Sequence, residues 1–414
     1  MATGHTTANL PFHYGWIIVG TGTLCIFASL GFGRFALGML LPSMAATLDL
    51  TYSQMGFIST ANFVGYLIAV LAGGLIASRT GARRLIFIAL LIVGISMALI
   101  SQAKSFGYVL VLYTLTGMGS GASNVPMMGL VSAWFSRNMR GRAAGFIVIG
   151  SGFAIILSGR MVPAVNDMFG QQGWRINWLI LGITSTLISF ICLLLLRNRP
   201  EEKGLRPCGS DSAAPSASSG AGEKIANIYR EKVVYLLGII YFLFGYTYVI
   251  YATFIVTTLV QERGFSESVA GNFWSWVGFL SLLSGPIFGT LSDKIGRKAG
   301  LITVFSFQMI AYLLVAFSLP VVFLYASIFC FGIVAWSIPS IMIAAVSDYV
   351  GAYRAVAAFG LVTFIFGVGQ ITGPAIAGVL AERAGSFASS FLMAGILAGL
   401  AIVLTAFLRT PHHE

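Results

Sequence analysis

One arginine stands inside a long apolar stretch: Arg34, within Gly31-Phe32-Gly33-Arg34-Phe35-Ala36-Leu37-Gly38. If that stretch crosses a bilayer, a charge at mid-helix costs several kcal/mol unless it meets a wet cavity or a partner, so its reading is functional. A guanidinium stays charged at physiological pH and matches a carboxylate through two parallel hydrogen bonds. Gly31 and Gly38 thin the helix beside it and leave room for a neighbour or a ligand. The second embedded cation, Arg160 in Ser158-Gly159-Arg160-Met161, is nearer a helix end and reads as a side chain snorkelling outward.

The acidic groups say as much by their positions. None of the thirteen Asp and Glu residues falls in the middle of an apolar run, and the four histidines (His5, His13, His412, His413) lie outside such runs. A buried cation with no buried anion points to an anionic ligand, and no group of the usual kind is placed as a midplane proton carrier. Uncharged groups complete a candidate site. Asn62 and Tyr66 are one turn apart, Asn124 precedes Pro126, and Tyr248 and Tyr251 share a helix face. Trp276, Trp336 and Gln370 supply further aromatic and amide groups. The ligand set expected from the sequence is therefore Arg34, Asn62, Tyr66, Asn124, Tyr248, Tyr251, Trp276, Trp336 and Gln370. A wall of this kind suits a small-molecule cavity, although each polar side chain also suits a bond between helices. No cofactor or metal is expected: the four cysteines show no C-x-x-C spacing, and neither G-x-x-x-x-G-K-[ST], H-E-x-x-H nor G-x-S-x-G occurs. With no nucleophile, acid/base pair or metal cluster, the sequence does not read as an enzyme.

These residues must be held by membrane helices. Of 414 residues 57% are hydrophobic and only 9% charged, against roughly 25% charged in a soluble domain. Windowed hydropathy predicts twelve segments, at about 15–42, 53–78, 84–102, 106–133, 142–167, 174–197, 233–260, 268–291, 299–317, 321–346, 354–380 and 386–408. The polar, Ser/Gly/Pro-rich stretch 198–232 cannot bury a core and reads as a flexible connector ending in a short surface helix. It separates residues 1–197 from 233–414, six helices each. Eighteen of the twenty-four Lys and Arg residues fall on the connector's side of the membrane and four on the other, which predicts cytoplasmic termini and connector. The net charge of +11 thus reports topology, and no nucleic-acid partner is expected.

The two halves repeat. Gly74-Leu75-Ile76-Ala77-Ser78-Arg79-Thr80-Gly81-Ala82-Arg83 and Gly289-Thr290-Leu291-Ser292-Asp293-Lys294-Ile295-Gly296-Arg297-Lys298 are 215 positions apart, and the same offset carries Gly145 onto Gly360. On these loops and the twelve-segment pattern, the sequence resembles the major facilitator superfamily. The resemblance implies an all-α membrane protein of twelve helices in two six-helix bundles, with Arg79, Asp293 and Arg297 at a cytoplasmic gate. The text from Leu112 to Gly121, with Trp134-Phe135 and Arg140-Gly141-Arg142-Ala143-Ala144-Gly145, is similar to bacterial monocarboxylate and oxalate/formate porters. Those porters hold a carboxylate with an Arg in helix 8, where this chain has Gly285; the latter also carry a Lys in helix 11, where it has Phe366. The expected function is secondary active transport of a small organic anion, a monocarboxylate in the first instance, by alternating access across the bacterial inner membrane. Protons entering with the carboxylate would supply symport. The partners are then the substrate anion, protons and the lipid bilayer, and the resemblance favours a monomer. A multidrug or metabolite exporter of the same superfamily is the alternative, weakened by the missing embedded acid.

Overall fold

The computed structural model describes residues 12–209, 231–351 and 354–408. Among them twelve helical runs follow one another: α1 Gly15–Leu48, α2 Tyr52–Thr80, α3 Ala82–Ile100, α4 Phe106–Trp134, α5 Arg137–Phe169, α6 Gly173–Leu195, α7 Lys232–Glu262, α8 Glu267–Ile295, α9 Arg297–Ala316, α10 Val321–Val350, α11 Ala355–Ala384 and α12 Ala388–Ala406. Each is long enough, at 1.5 Å per residue, to cross a hydrocarbon core of about 30 Å or nearly so. Ten stretches are also apolar enough, one of them, Asn138–Leu195, containing α5 and α6. The helix outside these stretches is α4, which carries Gly117, Gly119, Ser120, Gly121, Ser123 and Asn124 and is covered by α2 and α3.

The predicted boundaries err mainly at the ends. α1 continues through Pro42 to Leu48, and α10 breaks at Ala335 and Trp336, where the predicted segment was continuous. The break is held by the Trp336 amide, which donates to Ser284 Oγ at 3.0 Å. The connector also departs from expectation at its start. Residues 204–209 fold back along the end of α4: Cys208 N donates to Trp134 O at 2.8 Å, and Ser136 N donates to Cys208 O at 3.0 Å. Asn198 Oδ1 accepts the Arg83 amide at the start of α3. The exposed helix ends of the first bundle need partners for their backbone groups, and this segment supplies them. The expected surface helix at 223–230 lies outside the described residues.

Helices α1–α6 pack together, as do α7–α12, and the two sets meet through α2 with α11, α5 with α8, and α1 with α7. The contacts between sets lie away from the basic loops. A Cβ on Gly271 would sit 2.1 Å from Gly159 O, and one on Gly56 2.4 Å from Pro374 O, so backbone meets backbone there. Hydrogen bonds join the sets in the same half: Asn166 Nδ2 to Glu267 at 2.5 Å, Ser53 N to Glu382 at 3.2 Å, and Thr60 Oγ1 to Ile371 O at 2.9 Å. Toward the basic loops, a Cβ on Gly73, Gly145, Gly289 or Gly360 would meet nothing within 4 Å. These close backbone contacts and hydrogen bonds between the bundles thus gather at the end away from the basic loops.

Candidate functional site

Arg34 sits near the end of a nine-residue π-helical segment, Phe27–Phe35, inside α1. A π-turn widens the helix and leaves carbonyls without their usual donors, and it needs outside partners to persist. Three side chains supply them. Ser120 Oγ donates to Ser29 O at 2.7 Å, Asn62 Nδ2 to Gly33 O at 3.0 Å, and Tyr113 OH to Arg34 O at 3.0 Å. The glycines around Arg34 serve neighbouring helices rather than a ligand: a Cβ on Gly31 would strike Ala154 at 2.2 Å, and one on Gly38 the Ala252 carbonyl at 2.7 Å.

The widened turn aims the guanidinium at α2. Its carbon lies 4.5 Å from the centre of the Phe63 ring and 4.3 Å from that of Tyr66, so both ring faces stabilise the charge. Among the described residues, its buried Nε and Nη2 have no hydrogen-bond partner. No described acidic residue lines the adjoining cavity, whose wall includes Phe35, Ser59, Asn62, Tyr113, Tyr248 and Thr253. That cavity holds about 10 Å³ in this conformation, room for roughly one water.

Two phenols flank the charge, each fixed by an amide. Asn124 Nδ2 donates to Tyr66 OH at 2.8 Å, and Gln370 Nε2 to Tyr248 OH at 2.5 Å. Because both phenol oxygens accept from amides, their O–H groups are free to donate beside Arg34. Tyr248 faces the guanidinium from the second bundle and packs edge-on against Trp336 at 5.9 Å, while Trp336 also meets Phe35 at 5.0 Å. The indole N–H of Trp336 and Oδ1 of both Asn62 and Asn124 are buried without partners among the described residues.

Arg34, Asn62, Tyr66, Asn124, Tyr248, Trp336 and Gln370 are thus one connected group. Asn62 has a different part from the one expected, since its amide is committed to the π-segment and to Tyr113 O at 3.3 Å, and only Oδ1 is left over. Tyr251 is elsewhere. Its hydroxyl bonds Ser327 Oγ at 2.8 Å, and its ring stacks 4.1 Å from Phe331 in the core of the second bundle, because three residues along a helix turn it some 60° from Tyr248. Trp276 also leaves the set: it is 55% exposed on the outer face of α8, beside Phe279. Phe366, standing where the porters have Lys, stacks on Tyr241 at 4.2 Å.

Sequence reasoning missed Phe63, Tyr113 and the Ser59–Thr253 pair, whose hydroxyls meet at 3.1 Å across the two bundles. Tyr113 lay in the stretch that carries the resemblance, and Phe63 is next to Asn62, but no periodicity marks a ring as the platform for a cation. At the basic end, Arg297 pairs with Asp293 and, at 2.9 Å, with Asp348, all within the second bundle. Arg79 is exposed and in none of the ion pairs among the described residues.

Residues 26–406 match the family described as "Uncharacterised MFS-type transporter YbfB". The chain belongs to that family. It is a multi-pass membrane transporter of the major facilitator superfamily, not an enzyme. It is 25% identical to a hexuronate transporter of Bacillus subtilis, over 89% of this chain and 90% of that one. It is 24% identical to human monocarboxylate transporter 2, over 93% of this chain and 83% of the relative. Among solved structures, the nucleoside transporter NupG matches with a TM-score of 0.70 at 16% identity, covering 95% of this chain and 98% of that one, a likeness of fold.

Proposed function

We propose that this transporter is a secondary carrier of a small organic anion, a monocarboxylate in the first instance, with Arg34 as the charge partner. The observation that carries this reading is the half-buried Arg34 side chain, held against two rings with its buried Nε and Nη2 unpaired and no acid among the described residues of the cavity wall. A partly desolvated cation held in this way is compensated when a carboxylate arrives. The O–H groups of Tyr66 and Tyr248 add donors, one from each bundle, so binding draws the bundles together around the anion. Asn62 Oδ1 is a free acceptor in the same cavity, which favours acids that carry a hydroxyl beside the carboxylate. The named relatives support the class, since hexuronates and monocarboxylates share the carboxylate.

In this reading the basic loops face the bacterial cytoplasm, the described conformation is open inward, and the contacts around Gly159, Gly271 and Gly56 close the outside. The Asp293–Arg297–Asp348 cluster, contained within one bundle here, is available to meet the first bundle when the inner end closes. Any proton coupling enters with the substrate. The test is uptake of labelled lactate, pyruvate and glucuronate into proteoliposomes, with and without an inward proton gradient. Saturable carboxylate uptake supports the proposal, and its response to the gradient decides symport. Absence of carboxylate uptake together with transport of lipophilic cations would overturn it in favour of a drug exporter.

A further inference from the structure

A second cavity, of about 350 Å³, opens on the outer surface of the molecule where α5 of one bundle meets α8 and α10 of the other. Its wall is formed by Arg160, Val269, Asn272, Phe273, Trp276 and Tyr325. Arg160 is exposed and in none of the ion pairs among the described residues. No described carboxylate lines the cavity. Asp167, the nearest acid along α5, is two turns or about 10 Å further out, and Glu267 is bonded to Asn166. Trp276 and Tyr325 are 55% and 56% exposed, as aromatic side chains are where a protein meets the headgroup layer.

The depth agrees. α5 has 33 residues and is about 50 Å long, which overshoots a 30 Å hydrocarbon core by about 10 Å at each end. Arg160 is nine residues, roughly 14 Å, from the last residue of α5, about 4 Å below the border between acyl chains and headgroups and within reach of it for a long side chain. A cation, an amide and two rings facing outward at that depth meet a phosphodiester on one side and acyl chains on the other. We propose that Arg160, Asn272, Trp276 and Tyr325 form a headgroup site for a phospholipid of the leaflet opposite the basic loops, its phosphate on the Arg160 guanidinium. The lipid touches both bundles, so it favours the conformation in which α5 and α8 are packed at this end.

Native mass spectrometry of the full chain, released from detergent with added phosphatidylglycerol, tests the site. Wild type should retain one lipid whose occupancy falls about tenfold in Arg160→Gln, the scale of one partly exposed charge-assisted bond, and recovers in part in Arg160→Lys. Trp276→Ala, at a mostly exposed ring, should lower retention too and provides a second variant with an unchanged core. Millimolar inorganic phosphate should not displace the lipid. Equal retention by wild type and both variants would overturn the proposal, as would displacement by inorganic phosphate at concentrations comparable to the lipid. Carboxylate uptake is not the readout, so failure here and failure of the anion-carrier reading are separate results.

Discussion

Replacing Arg34 by glutamine separates a ligand-binding charge from a structural one. In the described conformation Nε and Nη2 make no hydrogen bond, so two charge-assisted N–H···O bonds to a carboxylate are available, at about 1.5–3 kcal/mol each. Glutamine keeps one neutral donor worth about 1 kcal/mol, which leaves a net loss of at least about 2 kcal/mol, or roughly 30-fold in affinity. Lysine keeps the charge without the planar fork and falls between the two. The stability change runs differently. Removing one partner of a satisfied buried ion pair costs about 3–5 kcal/mol, but Arg34 has no ionic partner among the described residues to strand. The Arg34→Gln variant gives up the contacts with Phe63 and Tyr66, about 0.5–2 kcal/mol, and escapes the desolvation of an unpaired charge. The melting temperature in detergent should therefore stay near wild type while equilibrium binding of labelled carboxylates weakens. A variant that binds carboxylates as wild type does would refute the assignment, and one that unfolds would show Arg34 to be a structural residue.

Four other outcomes follow from the packing. Gly271→Val pushes side-chain atoms into the Gly159 carbonyl, an overpacking cost of about 1–3 kcal/mol, and should shift spin-label distances between the outer ends of α5 and α8 to longer values. Asn62→Leu removes the side-chain donor shared by the Gly33 and Tyr113 carbonyls and should destabilise the protein by about 1–3 kcal/mol in thermal unfolding, whatever ligand is present. Tyr251→Phe removes a hydrogen bond to Ser327 in the second bundle and should lower stability by about 1 kcal/mol with carboxylate affinity unchanged. Tyr248→Phe, measured beside it, leaves the buried Gln370 amide without its acceptor and should lower stability by about 1–3 kcal/mol and weaken carboxylate binding as well.

Hydropathy and charge settled the class, the number of helices and the sequence position of the embedded cation. These are one-dimensional properties: a run of apolar residues must enter the bilayer, and Arg34 lies inside the first run whatever that run packs against. The list of its neighbours was only partly legible. Tyr248 and Tyr251 look equivalent along the helix, yet a rotation of some 60° sends one to the cavity and the other to Ser327. Asn62 was visible as a polar residue in an apolar run, but its commitment to the π-segment depends on a local widening of α1 that no periodicity announces. Trp276 lies on the outer face of its helix, a side that spacing alone does not reveal. How each helix is turned against its neighbours, and which end of the bundle is closed, depends on backbone contacts such as Gly159 with Gly271, and these exist only once residues more than a hundred positions apart have met.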